Sequence, residues 1–246
     1  MIKVAPAERL RQRIQAGQEA LQAGRPADAV VEWSAALRSA GRLPVVEAVR
    51  TTLRNNLAGL YHSLGKVSQA RRLYRDALRA AEQQQGAQSV AAATILNNLA
   101  ELERGTGQPG KAEPLFRRAL SILESQKDVQ VANLAGLMAN QAECLRQSGR
   151  TDEAAVLNSR ALEILERSGA APGQIGILLN NMASLEEQRG DFVAAEALFA
   201  RALPLLEQAG AALAKQRLQL LANYALVLRK HAASLEGRGT GFRSHK

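Results

Sequence analysis

The sequence is poor in the residues from which active sites are built. It has one cysteine, Cys144, which excludes an intrachain disulfide and any multi-cysteine metal site. Its three histidines, His62, His231 and His245, fall at no spacing that makes a metal site, so neither metal nor cofactor is expected. Aromatic residues make up only 3%, and the many short β-branched strands that a propeller needs are absent. No stretch of about 18 apolar residues is present, so no membrane span is predicted. The opening MIKVAPAERLRQRIQAG lacks the apolar centre of a secretory signal. A soluble, cytoplasmic protein of a reducing compartment is the expectation.

What is abundant is Ala, Leu, Arg, Gln and Glu, residues that lose least on entering a helix, and prolines cluster between periodic runs. The formal charge of +9 sits at the ends. Residues 1–13 contribute +3 and residues 211–246 contribute +6, while the stretch between balances 21 basic against 21 acidic residues. A nucleic-acid-binding face would more often spread along the fold.

A repeat organises the chain. Asn55-Asn56-Leu57-Ala58, Asn97-Asn98-Leu99-Ala100, Ala139-Asn140-Gln141-Ala142, Asn180-Asn181-Met182-Ala183 and Ala222-Asn223-Tyr224-Ala225 align, their last residues spaced by 42, 42, 41 and 42. A degenerate copy fits at Gly17. Seven residues on comes a glycine (24, 65, 107, 149 and 190), and five further an alanine (29, 70, 112, 154 and 195). Four later stand Trp33, Tyr74, Phe116, Asn158 and Phe199, and three later a second alanine (36, 77, 119, 161 and 202). This is the pattern of a helical hairpin. The glycine accepts the left-handed conformation that ends helix A, small residues on both helices allow close approach, and the aromatic packs against the next hairpin. Asn158 breaks the aromatic series, which predicts looser packing after the fourth hairpin.

On these residues the chain resembles tetratricopeptide-repeat proteins. In its 42-residue spacing, and in blocks such as NNLAGLYHSLGKVSQARRLYRDAL (55–78), it resembles the long-helix subtype of kinesin light chains. The resemblance covers about residues 8–235. It implies an all-α fold, a right-handed α-solenoid of five hairpins plus a C-terminal capping helix. We place repeats near 7–41, 46–84, 88–126, 130–168 and 172–209, the capping helix at 212–235 with a polar outer face, an N-terminal extension at 1–6, and a disordered basic tail at 236–246.

The resemblance also implies that the A helices line a concave groove that holds a partner, and that the chain is a scaffold or adaptor, not an enzyme. Carried over, the groove ladder is Gln15, Asn56, Asn98, Asn140, Asn181 and Asn223, with Asn55, Asn97 and Asn180 beside it. An asparagine amide both donates to and accepts from a peptide backbone; equally, the same amides can tie neighbouring helices together. Six residues beyond the ladder lie Leu21, His62, Arg104, Arg146, Glu187 and Arg229. Arg104, Arg146, His62 and Arg229 suit recruitment of an acidic peptide or C-terminal carboxylate; alternatively, Glu101 and Glu143, three residues before two of the arginines, pair with them on a solvated face. Ile175, Ile177, Leu178 and Leu179 give the fifth helix A an apolar end, either core or a seat for an apolar anchor. The ligand is a peptide or disordered segment of another protein, extended or helical. The alternatives are a nucleic-acid or anionic-surface binder using the basic termini, and a self-assembling scaffold that forms homo-oligomers.

Three features mimic chemistry and fail inspection. Gly105-Thr-Gly-Gln-Pro-Gly-Lys111 matches a phosphate loop, but Ala112 replaces the required Ser or Thr and the segment aligns with the ordinary inter-helix turn. Cys144 reads as a partly buried structural thiol. Glu186 and Glu187 are sequence neighbours and point about 100° apart on a helix, so they form no acid–base pair.

Overall fold

The chain folds into helices with the predicted hairpin spacing. A computed structural model describes the backbone of residues 6–40 and 47–240 and the side chains of 7–40 and 47–236. The helices are α1 (Pro6–Gln22), α2 (Pro26–Ala40), α3 (Glu47–Ser63), α4 (Val67–Gln85), α5 (Val90–Gly105) and α6 (Pro109–Glu124) in a first compact unit, residues 1–126. A second unit, residues 127–246, holds α7 (Val131–Gln147), α8 (Thr151–Arg167), α9 (Pro172–Arg189), α10 (Phe192–Gln208), a 3-10 turn at Gly210–Leu213 and α11 (Ala214–Thr240).

Odd- and even-numbered helices pair as the A and B members of hairpins, and within each unit every helix packs on the next. The turns work as the spacing predicts: Gly24, Gly65, Gly107, Gly149 and Gly190 all have φ between 68 and 82°, a region closed to most side chains. Ser89 and Asp191 cap α5 and α10, accepting hydrogen bonds from the Ala92 and Ala194 amides at 3.2 and 2.9 Å.

The paired alanines are the contact points of the hairpins. Ala29 and Ala36, Ala70 and Ala77, Ala112 and Ala119, Ala154 and Ala161, and Ala195 and Ala202 are all fully buried, as are Ala58, Ala100 and Ala183. Gly17 shows why the first copy is degenerate. A Cβ there would lie 2.2 Å from Nε1 of Trp33, whose N–H donates to the Ile14 carbonyl at 3.1 Å. The larger indole of the first hairpin leaves no room even for a methyl group. Phe199 fills space against the following A helix, stacking on Tyr224 of α11 with ring centroids 5.4 Å apart.

Asn158 is buried, 3% exposed, and its Oδ1 finds no hydrogen-bond partner. The fourth hairpin thus carries an unsatisfied amide where its neighbours carry a ring. The end of the chain departs from expectation twice. α11 continues to Thr240, five residues beyond the expected cap; residues 241–246, with 1–5, 41 and 46 of the assigned segments, lie outside the described residues. The outer face of α11 is also apolar, exposing Leu218, Leu221, Leu228 and Leu235, because no helix B follows to cover it among the described residues.

Candidate functional site

The A-helix faces carry the ladder. In the first unit, Asn98 of α5 donates through Nδ2 to Oδ1 of Asn55 on α3 at 3.0 Å, Asn55 donates to Asn56 at 3.4 Å, and Asn97 donates to Asn98 at 3.4 Å. In the second unit, Asn223 of α11 donates to Asn180 of α9 at 3.4 Å, and Asn180 to Asn181 at 3.5 Å. The paired asparagines therefore tie neighbouring A helices to each other. Positions 55 and 180 accept across the row, while Asn56 stands exposed at its edge. Asn140 is half-buried on α7.

The charged row is largely self-paired. Arg104 makes a two-pronged contact with Glu101 at 2.9 Å for both bonds, and Arg146 does so with Glu143 at 2.7 Å. Arg146 also donates to Oε1 of Gln188 at 2.8 Å. Glu187 is held by Lys230 of α11. Arg229 is exposed, and His62 is half-buried with Nε2 3.6 Å from where a Cβ on Gly105 would lie. An i, i+3 spacing of Glu before Arg on one helix face produces these pairs without tertiary help.

Hollows open on these faces, one of about 460 Å³ beside Gln15 on α1 among them. In the first unit a pocket of about 410 Å³ is lined by Asn55, Asn56 and Asn98 together with Leu21, Gly59 and Ser63, its floor being Trp33, Leu60 and Tyr74. Burial pushes the Tyr74 phenol up to about 12, so it stays a neutral hydroxyl in that floor. In the second unit a smaller pocket of about 210 Å³ is lined by Ala132, Ala135, Gly136 and Ala139 of α7, Leu165 of α8, and Gln174, Ile177 and Leu178 of α9. Ile177 and Leu178 thus line this hollow, although Leu178 is buried and Ile175 and Ile177 both pack partly buried against the core around Leu179. The sequence reading missed the α7 side of this pocket. Its signal was the small-residue row at 132, 135, 136 and 139.

Elsewhere the chain offers little chemistry. Cys144 is fully buried. Gly105 ends α5, Gly107 makes the turn at φ 73°, and Pro109 opens α6, so the phosphate-loop mimic is an inter-helix turn. His231 contacts Glu196 at 2.5 Å, beside Phe192. Among the described residues no cluster of three or more metal-ligating side chains occurs, and no helix is long and apolar enough to cross a membrane.

Repeated hairpins of this length, with buried alanine pairs and glycine turns, define a helical solenoid of two-helix repeats. The tetratricopeptide-repeat family model matches residues 49–125 and 131–208, and the chain belongs to that family. A search of curated proteins finds no match. Solved structures share the fold at low identity. BtubC (BKLC) from P. vanneervenii is 21% identical, with a TM-score of 0.66 over 85% of this chain and 94% of that one. A putative kinesin light chain from Podosopora anserina with nearly identical TPR-like repeats is 17% identical, with a TM-score of 0.68 over 85% and 100%. Bacillus thuringiensis PlcR, in complex with the peptide PapR7 and DNA, is 16% identical, with a TM-score of 0.67 over 92% and 76%.

Proposed function

We propose that this protein is an interaction scaffold that holds a segment of a partner polypeptide against its A-helix faces. The observation that carries this reading is the pocket of about 410 Å³ around Asn55, Asn56 and Asn98, where amides border a hollow that Gly59 and Ser63 leave open. Asn56 is the exposed member and the natural backbone contact; Asn55 and Asn98 are occupied with each other and hold the wall in place. The smaller pocket, bordered by Ile177 and Leu178, is of a size to take one apolar side chain of a ligand. That PlcR, which has a similar fold, is found in complex with a peptide supports the mode of action.

The charge pattern narrows the ligand. Arg104 and Arg146 are already matched by Glu101 and Glu143, so an acidic peptide gains from them only by displacing a charge-assisted pair. A mainly uncharged segment, recognised through its backbone and one apolar anchor, fits the faces better.

The test is a random-peptide display selection on the full chain, followed by fluorescence anisotropy with the selected peptides. Asn56→Ala/Ser63→Trp should weaken binding at least tenfold while leaving the thermal midpoint unchanged, since both positions are exposed. Arg104→Ala/Arg146→Ala should weaken it less. Peptides that bind the Asn56→Ala/Ser63→Trp variant as tightly as the parent chain would place the site elsewhere.

A further inference from the structure

Helix α11 presents an apolar seam that no other element among the described residues covers. Leu218, Leu221, Ala225, Leu228, Ala232 and Leu235 are all exposed, the leucines by 66, 42, 45 and 57% in order. Their spacing is 3, 4, 3, 4, 3, the heptad rhythm that one helix offers to another. The opposite side of α11 is already occupied: Leu220 and Val227 are buried in the core around α10, with Tyr224 partly buried against it. The seam is thus a second face, and it makes a continuous apolar strip of a few hundred Å², the scale at which exposed patches mark interaction sites.

The repeat register identifies this face. Ala225 and Leu221 align with Ala183 and Leu179, with Ala142 and Met138, and with Ala100 and Leu96, each no more than 1% exposed. Those residues are covered by the helix B of their own hairpin. In α11 the same positions remain apolar and stand open. Of the other large exposed hydrophobics, Leu226 lies on α11 outside the seam, and Val31, Val156 and Val193 sit singly on different helices.

We infer that two copies of this chain pair through α11, antiparallel, about a two-fold axis passing between Ala225 and Leu228. In that register Leu218 faces the partner's Leu235, Leu221 faces the partner's Ala232, and Ala225 faces the partner's Leu228. Large meets small in the inner layers and leucine meets leucine at the ends. The seam is self-complementary in size, as an interface shared by identical surfaces requires. It is self-complementary in charge as well. Lys215, Ala222, Arg229 and Glu236 run along one flank at seven-residue spacing, and an antiparallel pairing brings like flanks together. Lys215 then meets the partner's Glu236 at both ends, and Arg229 lays its stem over the partner's Ala222. Glu236 is the single acid between residues 214 and 236, and it stands where the pairing uses it. A second copy therefore matches the face in spacing, size and sign.

The experiment is sedimentation equilibrium of the full chain from the low micromolar to the near-millimolar range. A monomer–dimer equilibrium is expected, and Leu221→Glu/Leu228→Glu should lose the dimer at every concentration with unchanged helical circular dichroism. Glu236→Lys should weaken association roughly tenfold, and Lys215→Glu/Glu236→Lys should restore it. Orientation is read by oxidation: a mixture of Leu218→Cys and Leu235→Cys chains should form covalent dimers, and neither variant alone should. The buried Cys144 stays out of that reaction. A chain that remains monomeric, assembles without limit, still pairs with both glutamates in the seam, or cross-links equally through either single cysteine overturns the inference.

Discussion

Removing Arg71 should harm the protein more than removing the charge of Glu103, although the two form one ion pair. Arg71 Nε and Nη2 donate to the two carboxylate oxygens of Glu103 at 2.7 and 2.8 Å, linking α4 to α5. The side chains differ in burial: that of Glu103 is 4% exposed and that of Arg71 is 23%. In Glu103→Gln the guanidinium can turn toward water and Gln keeps one acceptor, so the loss is about 1–2 kcal/mol. In Arg71→Met a carboxylate that is almost dry loses both hydrogen bonds and keeps only the charges of Lys111 and Arg75 nearby. The cheapest remedy is protonation, which at pH 7 costs about 3–4 kcal/mol for a group whose ordinary pKa is near 4.3. That cost falls to roughly 1 kcal/mol at pH 5. In the parent chain the Arg71 hydrogen bonds hold the Glu103 carboxyl below its ordinary range. Its stabilisation is therefore complete above that range and is lost as pH falls through the lowered value. Urea unfolding monitored by Trp33, the only tryptophan and in the same unit, measures each variant at pH 7 and pH 5. Equal losses for the two variants at pH 7, or a gap that does not narrow at pH 5, would refute the reasoning.

Asn158→Leu replaces an amide whose Oδ1 is buried without a partner by an apolar group of similar shape. It should stabilise the second unit by about 1–3 kcal/mol, read as a raised thermal midpoint in calorimetry. Gly17→Ala drives a methyl into the Trp33 indole. It should cost roughly 1–3 kcal/mol and shift the Trp33 emission, whereas the same methyl at Gly110, which has open space in the first turn of α6, should leave the emission unchanged and raise stability by about 0.4–1 kcal/mol.

The hairpins were legible in the sequence because their determinants are local. A glycine at φ above 60° and alanines at contact points are demands that a backbone makes wherever the hairpin recurs, so they repeat visibly at 42 residues. The Glu101–Arg104 and Glu143–Arg146 pairs were equally readable, being neighbours on one helix face. Asn55 and Asn98 were marked as a row, but a row of amides reads the same whether it binds a ligand or itself. The choice depended on a 3.0 Å approach of side chains 43 positions apart.

The Arg71–Glu103 pair shows the same limit, since its residues lie 32 positions apart and follow no repeat. The pocket beside Ile177 depends on how closely α7 and α9 lie, and small residues alone do not say whether the space they leave is filled. By itself the sequence determined the repeat, its hairpins and their turns, through short-range rules of backbone and spacing. Only the tertiary structure decided which amides are spent on each other, which hollows stay open, and that the final helix turns an apolar face outward. Those outcomes depend on distances between helices, which no single helix encodes.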